Sequence, residues 1–210
     1  MKVVVYCMES ISKEKPIYIN SHDRGALQAF SSTFNQYLNN WLPLYNHSLV
    51  IVCIGTDRAT GDSLGPLIGY KLRALDFPGV KLYGTLDEPV HAKNLQATLA
   101  HIKEHHSGSL ILAIDACLGS MDHVGYITIG EGPIRPGAGV QKDLPPVGDF
   151  HITGIVNFSS IMNMTILQNT RLSLVMKMAD IISLNIRYCL WRYYLDQDVT
   201  SPRKRTTSIG

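Results

Sequence analysis

The sequence lacks a long hydrophobic run, and its first residues do not match the pattern of a signal peptide. A membrane-spanning helix needs about 18 consecutive apolar residues. The most apolar stretch, residues 171–195, is interrupted by four charged residues: Lys177, Asp180, Arg187 and Arg192. The first residues, MKVVVYCMES, carry too short an apolar run for a signal peptide. We therefore expect a protein that neither crosses nor enters a membrane.

Paired cysteines are also missing. The four cysteines, Cys7, Cys53, Cys117 and Cys189, stand far apart, and none forms a C-x-x-C motif. Cys53 and Cys117 lie in apolar runs, where a free thiol packs as a small hydrophobic side chain. This usage is typical of a cytoplasmic protein whose thiols stay reduced.

Charge is sparse, at 17% of residues, whereas hydrophobic residues make up 45% and exclude a disordered chain. Nineteen basic residues oppose seventeen acidic ones, for a net charge of +2, which argues against nucleic acid as a partner. The excess lies in the last ten residues, which hold Arg203, Lys204 and Arg205 and no acid. We predict one domain over residues 1–196 and a disordered basic tail over 197–210.

Hydrophobic periodicity predicts alternating helices and strands. Continuous apolar runs such as SLVIVCIG and LILAIDAC are typical of strands buried on both faces of a parallel sheet. The predicted strands are 48–55, 80–85, 110–117, 124–130 and 150–156, of which 124–130 alternates as an edge or antiparallel strand would. The predicted helices are 23–41, 62–75, 91–106 and 169–195, the last with Asn169 as its N-cap. This order indicates an α/β fold with a mostly parallel sheet.

In such a sheet, ligands bind beyond the carboxyl ends of the strands, here after residues 55, 85, 116 and 156. The first of these loops, GTDRATGDSLGP, is neither a P-loop nor a G-x-G-x-x-G fingerprint, so nucleotide binding is not expected. Asp62 lies in this loop, and Asp115 ends the buried run LILAID. If the two strands are neighbours, the carboxyl groups meet at one sheet edge and their proton affinities separate, as an acid and a base require. The alternative is a helix cap at Asp62 and a structural acceptor at Asp115.

Other residues could complete a site at this edge. Glu88 and His91 follow a predicted strand, and His151 lies in another. Histidine and carboxylate together are ligands for a divalent metal, although a lone strand histidine more often packs in a core. Gly137 and Gly139, in the loop 132–149, allow the backbone to approach a ligand, or belong to a plain surface loop.

A serine hydrolase is a competing interpretation. GDSLG matches G-x-S-x-G, and Ser63, Asp115 and His151 follow the chain order of an α/β-hydrolase triad. An elbow serine must follow its strand at once, whereas about six residues separate Gly55 from Gly61, which disfavours this interpretation.

Several motifs together resemble a known family. They are TGDSLGP (60–66), YGTLDEPVHAKNL (83–95), LAIDACLG (112–119), GPIRPGAGVQKDLPPVGD (132–149) and ITGIVN (152–157). This set is similar to the YyaC-type sporulation proteins (DUF1256) of endospore-forming bacteria, over residues 48–190. More distantly, it resembles the spore germination protease and the hydrogenase maturation endopeptidases.

The resemblance implies a phosphorylase/hydrolase-like α/β/α sandwich and a peptidase active in the cytoplasm of the forespore or mother cell. The essential aspartates of the germination protease carry over to Asp62 and Asp115. The maturation endopeptidases add a histidine and bind nickel of their substrate, which implies a metal set of Asp62, Asp115 and His151. We predict hydrolysis of a protein or peptide, with spore proteins as candidate substrates, by the two aspartates with or without a divalent metal ion. A sporulation factor without enzymatic activity remains the alternative, and the sequence predicts no oligomeric state.

Overall fold

The computed structural model describes residues 15–137 and 144–200, with side chains described to residue 197. One six-stranded sheet has the strand order β1-β5-β6-β4-β2-β3. The strands are β1 (Ile17–Asn20), β2 (Leu49–Cys53), β3 (Val80–Tyr83), β4 (Leu110–Gly119), β5 (Tyr126–Glu131) and β6 (Phe150–Phe158). The α-helices are α1 (Ala26–Trp41), α2 (Leu64–Leu72), α3 (Leu95–His105), α4 (Asn163–Gln168) and α5 (Leu172–Thr200).

The sheet is mostly parallel, as predicted. β2 pairs in parallel with β3 and with β4, and β4 pairs in parallel with β6. β5 runs antiparallel to β6, which confirms the prediction from its alternating pattern, and β1 pairs antiparallel with the other side of β5. The strands that carry the two aspartate motifs, β2 and β4, are therefore direct neighbours.

Helices cover both faces of the sheet. Along β2, Leu49, Ile51 and Cys53 point to the face that α1, α2 and α5 cover. Val50 and Val52 point to the opposite face, where they pack with Leu95 and Ile102 of α3. Alternate residues of a strand point to opposite faces, so a continuous apolar run is what a strand between two helical layers requires. The α/β/α arrangement is confirmed.

Two sequence predictions need correction in detail, and two elements of the structure were not predicted. A short 3₁₀ turn, Gly61–Ser63, precedes α2, so Asp62 lies before the helix rather than on it. Asn169 is not the N-cap of α5, because it follows α4 and its side chain donates to the Thr165 carbonyl at 2.8 Å. β1 and α4 were not predicted.

The end of α5 bears on the domain boundary. The helix continues to Thr200, so the boundary predicted at residue 196 falls inside it. Arg203, Lys204 and Arg205 of the predicted tail lie outside the described residues. Within residues 15–137 and 144–200, no helix is both long enough and apolar enough to span a membrane, the 29-residue α5 included.

Candidate functional site

A cavity of about 360 Å³ opens where the parallel strands end. The residues that follow β2 line it, together with the second half of β4 from Asp115 onward, the loop before α3 and residues of α4. This is the position that a parallel α/β sheet assigns to a ligand. Both Asp62 and Asp115 line this cavity.

Asp115 is a buried carboxyl group near the end of β4, with 5% of its surface exposed. Its Oδ1 accepts a hydrogen bond of 2.8 Å from the Ala116 backbone N–H. Burial raises the pKa of Asp115 well above its ordinary value, the negative charge of Asp62 raises it further, and the Ala116 hydrogen bond opposes both. One carboxyl group of the site is therefore built to retain its proton.

Asp62 is half-exposed and stands on the 3₁₀ turn between β2 and α2. The Thr56 N–H donates to the Asp62 backbone carbonyl at 3.1 Å, which ties the turn to the end of β2. On its other side the turn packs against α4, where a Cβ atom at Gly61 would lie 2.8 Å from Leu167 Cδ2 and 2.9 Å from Thr170 Oγ1. The turn is thus held between the sheet edge and α4, with its carboxyl group in the cavity.

The other predicted site residues fall into two groups. His91 and Gly137 line the cavity with the aspartates. Glu88 is exposed and forms a turn, in which its N–H donates to Thr85 Oγ1 at 3.1 Å and its carbonyl accepts from the Thr85 N–H at 3.1 Å. Glu88 does not contribute to the cavity lining. Gly139 lies outside the described residues.

His151 does not reach the aspartates. The ring is buried, and its Nδ1 lies 2.9 Å from the Gly132 carbonyl. Burial lowers the pKa of His151, and the Gly132 hydrogen bond opposes that shift. In the sheet, His151 is level with Ala113, whereas Thr153 is level with Asp115, about 6.6 Å further along the strand. Strand geometry therefore separates this histidine from the sheet edge.

A divalent metal site needs at least three protein ligands of suitable chemistry. Across the described parts of the chain, no group of three or more His, Cys, Asp or Glu side chains is arranged to hold a metal ion. The described residues do not assemble the set of Asp62, Asp115 and His151 that the resemblance implies. The His151 Nε2 faces β5, since a Cβ atom at Gly130 would lie 2.9 Å from it, and β6 stands between β5 and β4. The residues present do not fit the implied metal.

The serine triad is not assembled either. Ser63 is buried, and its hydroxyl donates to the Thr60 carbonyl at 2.6 Å. Ser63 and His151 are therefore held in separate hydrogen bonds, Ser63 with the Thr60 carbonyl and His151 with the Gly132 carbonyl.

Two parts of the cavity lining were not predicted from the sequence. The first is α4, which contributes Met164, Leu167 and Gln168, and the second is the pair of basic residues Arg58 and Lys93. One signal was present, because α4 follows β6, whose carboxyl end was among the predicted ligand positions. With six residues, α4 is too short for a helical period to stand out.

The fold and the cavity can be compared with known proteins. A family model described as "Protein of unknown function (DUF1256)" matches residues 18–185. The uncharacterized protein YyaC of Bacillus subtilis (strain 168) is 55% identical over 135 residues. That alignment covers 64% of this chain and 66% of the relative, slightly less than two thirds of the relative's length.

A solved structure shares the fold. The crystal structure of the NiFe hydrogenase maturation protease HycI from Thermococcus kodakarensis KOD1 matches with a TM-score of 0.50. The match covers 76% of this chain and 99% of that one, at 17% sequence identity, and therefore shows a common fold alone. The sequence match over residues 18–185 decides the family: the chain belongs to the DUF1256 family.

Proposed function

We propose that the protein is a peptidase that hydrolyses a peptide bond with Asp62 and Asp115. One observation carries the proposal: two carboxyl groups line a single cavity, one buried and one half-exposed, and the negative charge of Asp62 adds to the burial that raises the pKa of Asp115. Two carboxyl groups in different environments are the arrangement that general acid–base catalysis uses. A cap and a structural acceptor have no need to share a solvent-accessible cavity.

The environments suggest the roles. Asp62, with access to solvent, removes a proton from a water molecule, which attacks the carbonyl carbon of the bond to be cleaved. Asp115 holds its proton because of its burial and the neighbouring negative charge, and donates it to the departing amine nitrogen. The proton taken up by Asp62 then replaces the one that Asp115 has lost. The step needs no further co-reactant.

Two comparisons support this proposal. A maturation protease shares the fold, and a relative that is 55% identical over 135 residues comes from Bacillus subtilis. We propose a protein substrate that is cleaved in the cytoplasm of the forespore or mother cell, with spore proteins as the first candidates. We extend the proposed peptidase activity to the full-length relatives.

The Asp62→Asn variant tests the proposed base. We expect hydrolysis of a proteome-derived peptide library, followed by mass spectrometry, to fall at least about 100-fold, because an amide cannot accept the proton of water. The thermal midpoint should stay close to that of the unsubstituted protein, since Asp62 is half-exposed. Asp57→Asn is the matched control, because Asp57 is exposed in the same loop and is not part of the cavity lining. Equal turnover by Asp62→Asn and Asp57→Asn would contradict the assignment.

The Ser63→Ala variant separates the aspartate mechanism from a serine hydrolase. Because the Ser63 hydroxyl is engaged by the Thr60 carbonyl, we expect cleavage within about threefold of the unsubstituted protein and no labelling by a fluorophosphonate probe in either protein. Loss of that hydrogen bond should lower the free energy of unfolding by about 1 kcal/mol in a denaturant titration. Labelling that disappears in Ser63→Ala would instead make Ser63 the nucleophile.

A further inference from the structure

The first turn of α4 and the two residues before it carry an unusual amount of exposed apolar surface beside the cavity. Ile161 is fully exposed, and Met162 and Met164 are 64% and 53% exposed. Three large apolar side chains in four consecutive positions cost free energy in water unless something covers them at least part of the time. Met164 belongs both to this surface and to the lining of the cavity, so the exposed surface and the cavity are continuous.

Inside the cavity, the apolar lining continues from α4. Leu167, one helical turn after Met164, is buried and lines the same cavity. Ile54, after β2, Leu118, in β4, and Leu144 line it as well. Five large apolar side chains therefore share the cavity with the two carboxyl groups. A cavity of about 360 Å³ has room for more than the bond to be cleaved, because ligand sites begin at about 300 Å³.

The apolar lining lies directly beside the proposed base. A Cβ atom at Gly61, the residue before Asp62, would lie 2.8 Å from the Leu167 side chain. The helix is fixed to the sheet, because Asn157 Nδ2 of β6 donates to the Ile166 carbonyl of α4 at 3.4 Å and to Thr170 Oγ1, just after the helix, at 3.2 Å. A side chain that rests on Met164 and Leu167 is therefore held within reach of the attacking water.

We propose that Met164 and Leu167 form a subsite that binds a large aliphatic or aromatic side chain of the substrate, at a residue adjacent to the cleaved bond. This inference rests on the proposed peptidase function and specifies its substrate class. Methionine is flexible and polarizable, so Met164 suits occupants of more than one shape. The exposed Met162 and Ile161 extend the apolar contact to the next part of the peptide.

Arg58 and Lys93 offer a competing source of selectivity. Both are exposed cations in the cavity lining and would favour an acidic residue. Their long, solvated side chains gain little from a single exposed ion pair. Burial of a leucine-sized side chain contributes more than a single exposed ion pair, so the apolar contact dominates the selection.

Cleavage of the peptide library gives the first test. We expect one position next to the cleaved bond to be enriched in leucine, isoleucine, methionine and phenylalanine. For a cleaved sequence with leucine at that position, Met164→Ala should lower kcat/KM about tenfold, and for its alanine analogue less than threefold. Met121→Ala is the matched control, because Met121 is 68% exposed and is not in the cavity lining.

Binding without turnover gives the second test. With the seven methionine methyl groups labelled for NMR, N-acetyl-leucinamide should shift the Met164 resonance, and N-acetyl-serinamide should not. A Met164 resonance unmoved by N-acetyl-leucinamide, or a library preference for acidic residues alone, would overturn the subsite. Absence of any cleavage by the unsubstituted protein, together with a shifted Met164 resonance, would overturn the peptidase proposal and leave an apolar binding site.

Discussion

Replacement of Asp115 by asparagine is expected to abolish peptide cleavage and at the same time to stabilise the fold at neutral pH. Hydrolysis should fall by about 10²–10⁴-fold, because the amide cannot donate the proton that the departing amine requires. Stability should rise because Asp115 is 5% exposed and its pKa is raised by burial and by the charge of Asp62. An uncharged side chain of the same shape removes the cost of a group that the fold prefers to keep neutral. The combination identifies a residue retained for chemistry rather than for stability.

The difference in stability between Asp115→Asn and the unsubstituted protein depends on pH, because the pKa of Asp115 is raised in the folded state. A carboxyl group whose pKa is raised in the folded state favours folding most at low pH, and that contribution is lost as the pH rises from the unfolded pKa through the folded one. The ordinary pKa of the group is 3.8. We expect Asp115→Asn to exceed the unsubstituted protein by about 1–3 kcal/mol at pH 7, and the two to converge below about pH 4. Urea titrations at pH 3.5, 5 and 7 measure the difference.

Asp122→Asn is the control for the stability experiment. Asp122 is exposed in the 3₁₀ turn after β4, so its substitution should leave both stability and cleavage unchanged. A less stable Asp115→Asn at pH 7 would mean that the carboxylate is a structural acceptor, which was the alternative interpretation from the sequence. Full cleavage by this variant would remove Asp115 from the mechanism.

The common location of the two aspartates could be predicted from the sequence, because it depends on strand order alone. Once β2 and β4 are buried parallel neighbours, the loop that follows β2 and the part of β4 beyond its last pair with β2, at Ile114, share a sheet edge. The face and level of a residue within a strand depend on register. His151 was chosen for its type, but the register places it level with Ala113, two residues short of Asp115 and beside the Gly132 carbonyl. Register is set by pairing across the sheet, which one strand's pattern does not contain.

The short elements β1 and α4 could not be predicted from the sequence, for a different reason. β1 has four residues, of which only Ile19 is buried, so its pattern is too brief to distinguish a strand from a loop. In α4, Leu167 alone is buried, and the exposed methionines contradict the rule that apolar residues face a core. That contradiction is the signal of function, since a local rule broken without a structural gain is expected at binding sites.

A single methyl group at Gly65 is expected to damage both the fold and the site. The first turn of α2 rests directly on the end of β2, and a Cβ atom at Gly65 would lie 2.0 Å from the carbonyl oxygen of Ile54. That atom is backbone on a central strand, so it cannot move aside, and the helix must shift instead. We expect Gly65→Ala to lower the free energy of unfolding by about 3 kcal/mol or more in a urea titration, a loss typical of overpacking against a rigid neighbour. Because Asp62 lies on the turn that leads into this helix, the folded fraction should also lose cleavage.

Gly25→Ala is the control for this substitution. At that position no atom lies within 4 Å of the new methyl group, so the free energy of unfolding should stay within about 0.5 kcal/mol of that of the unsubstituted protein. Equal stability of the two variants would show that the close approach of α2 to β2 is not required to hold Asp62 in place.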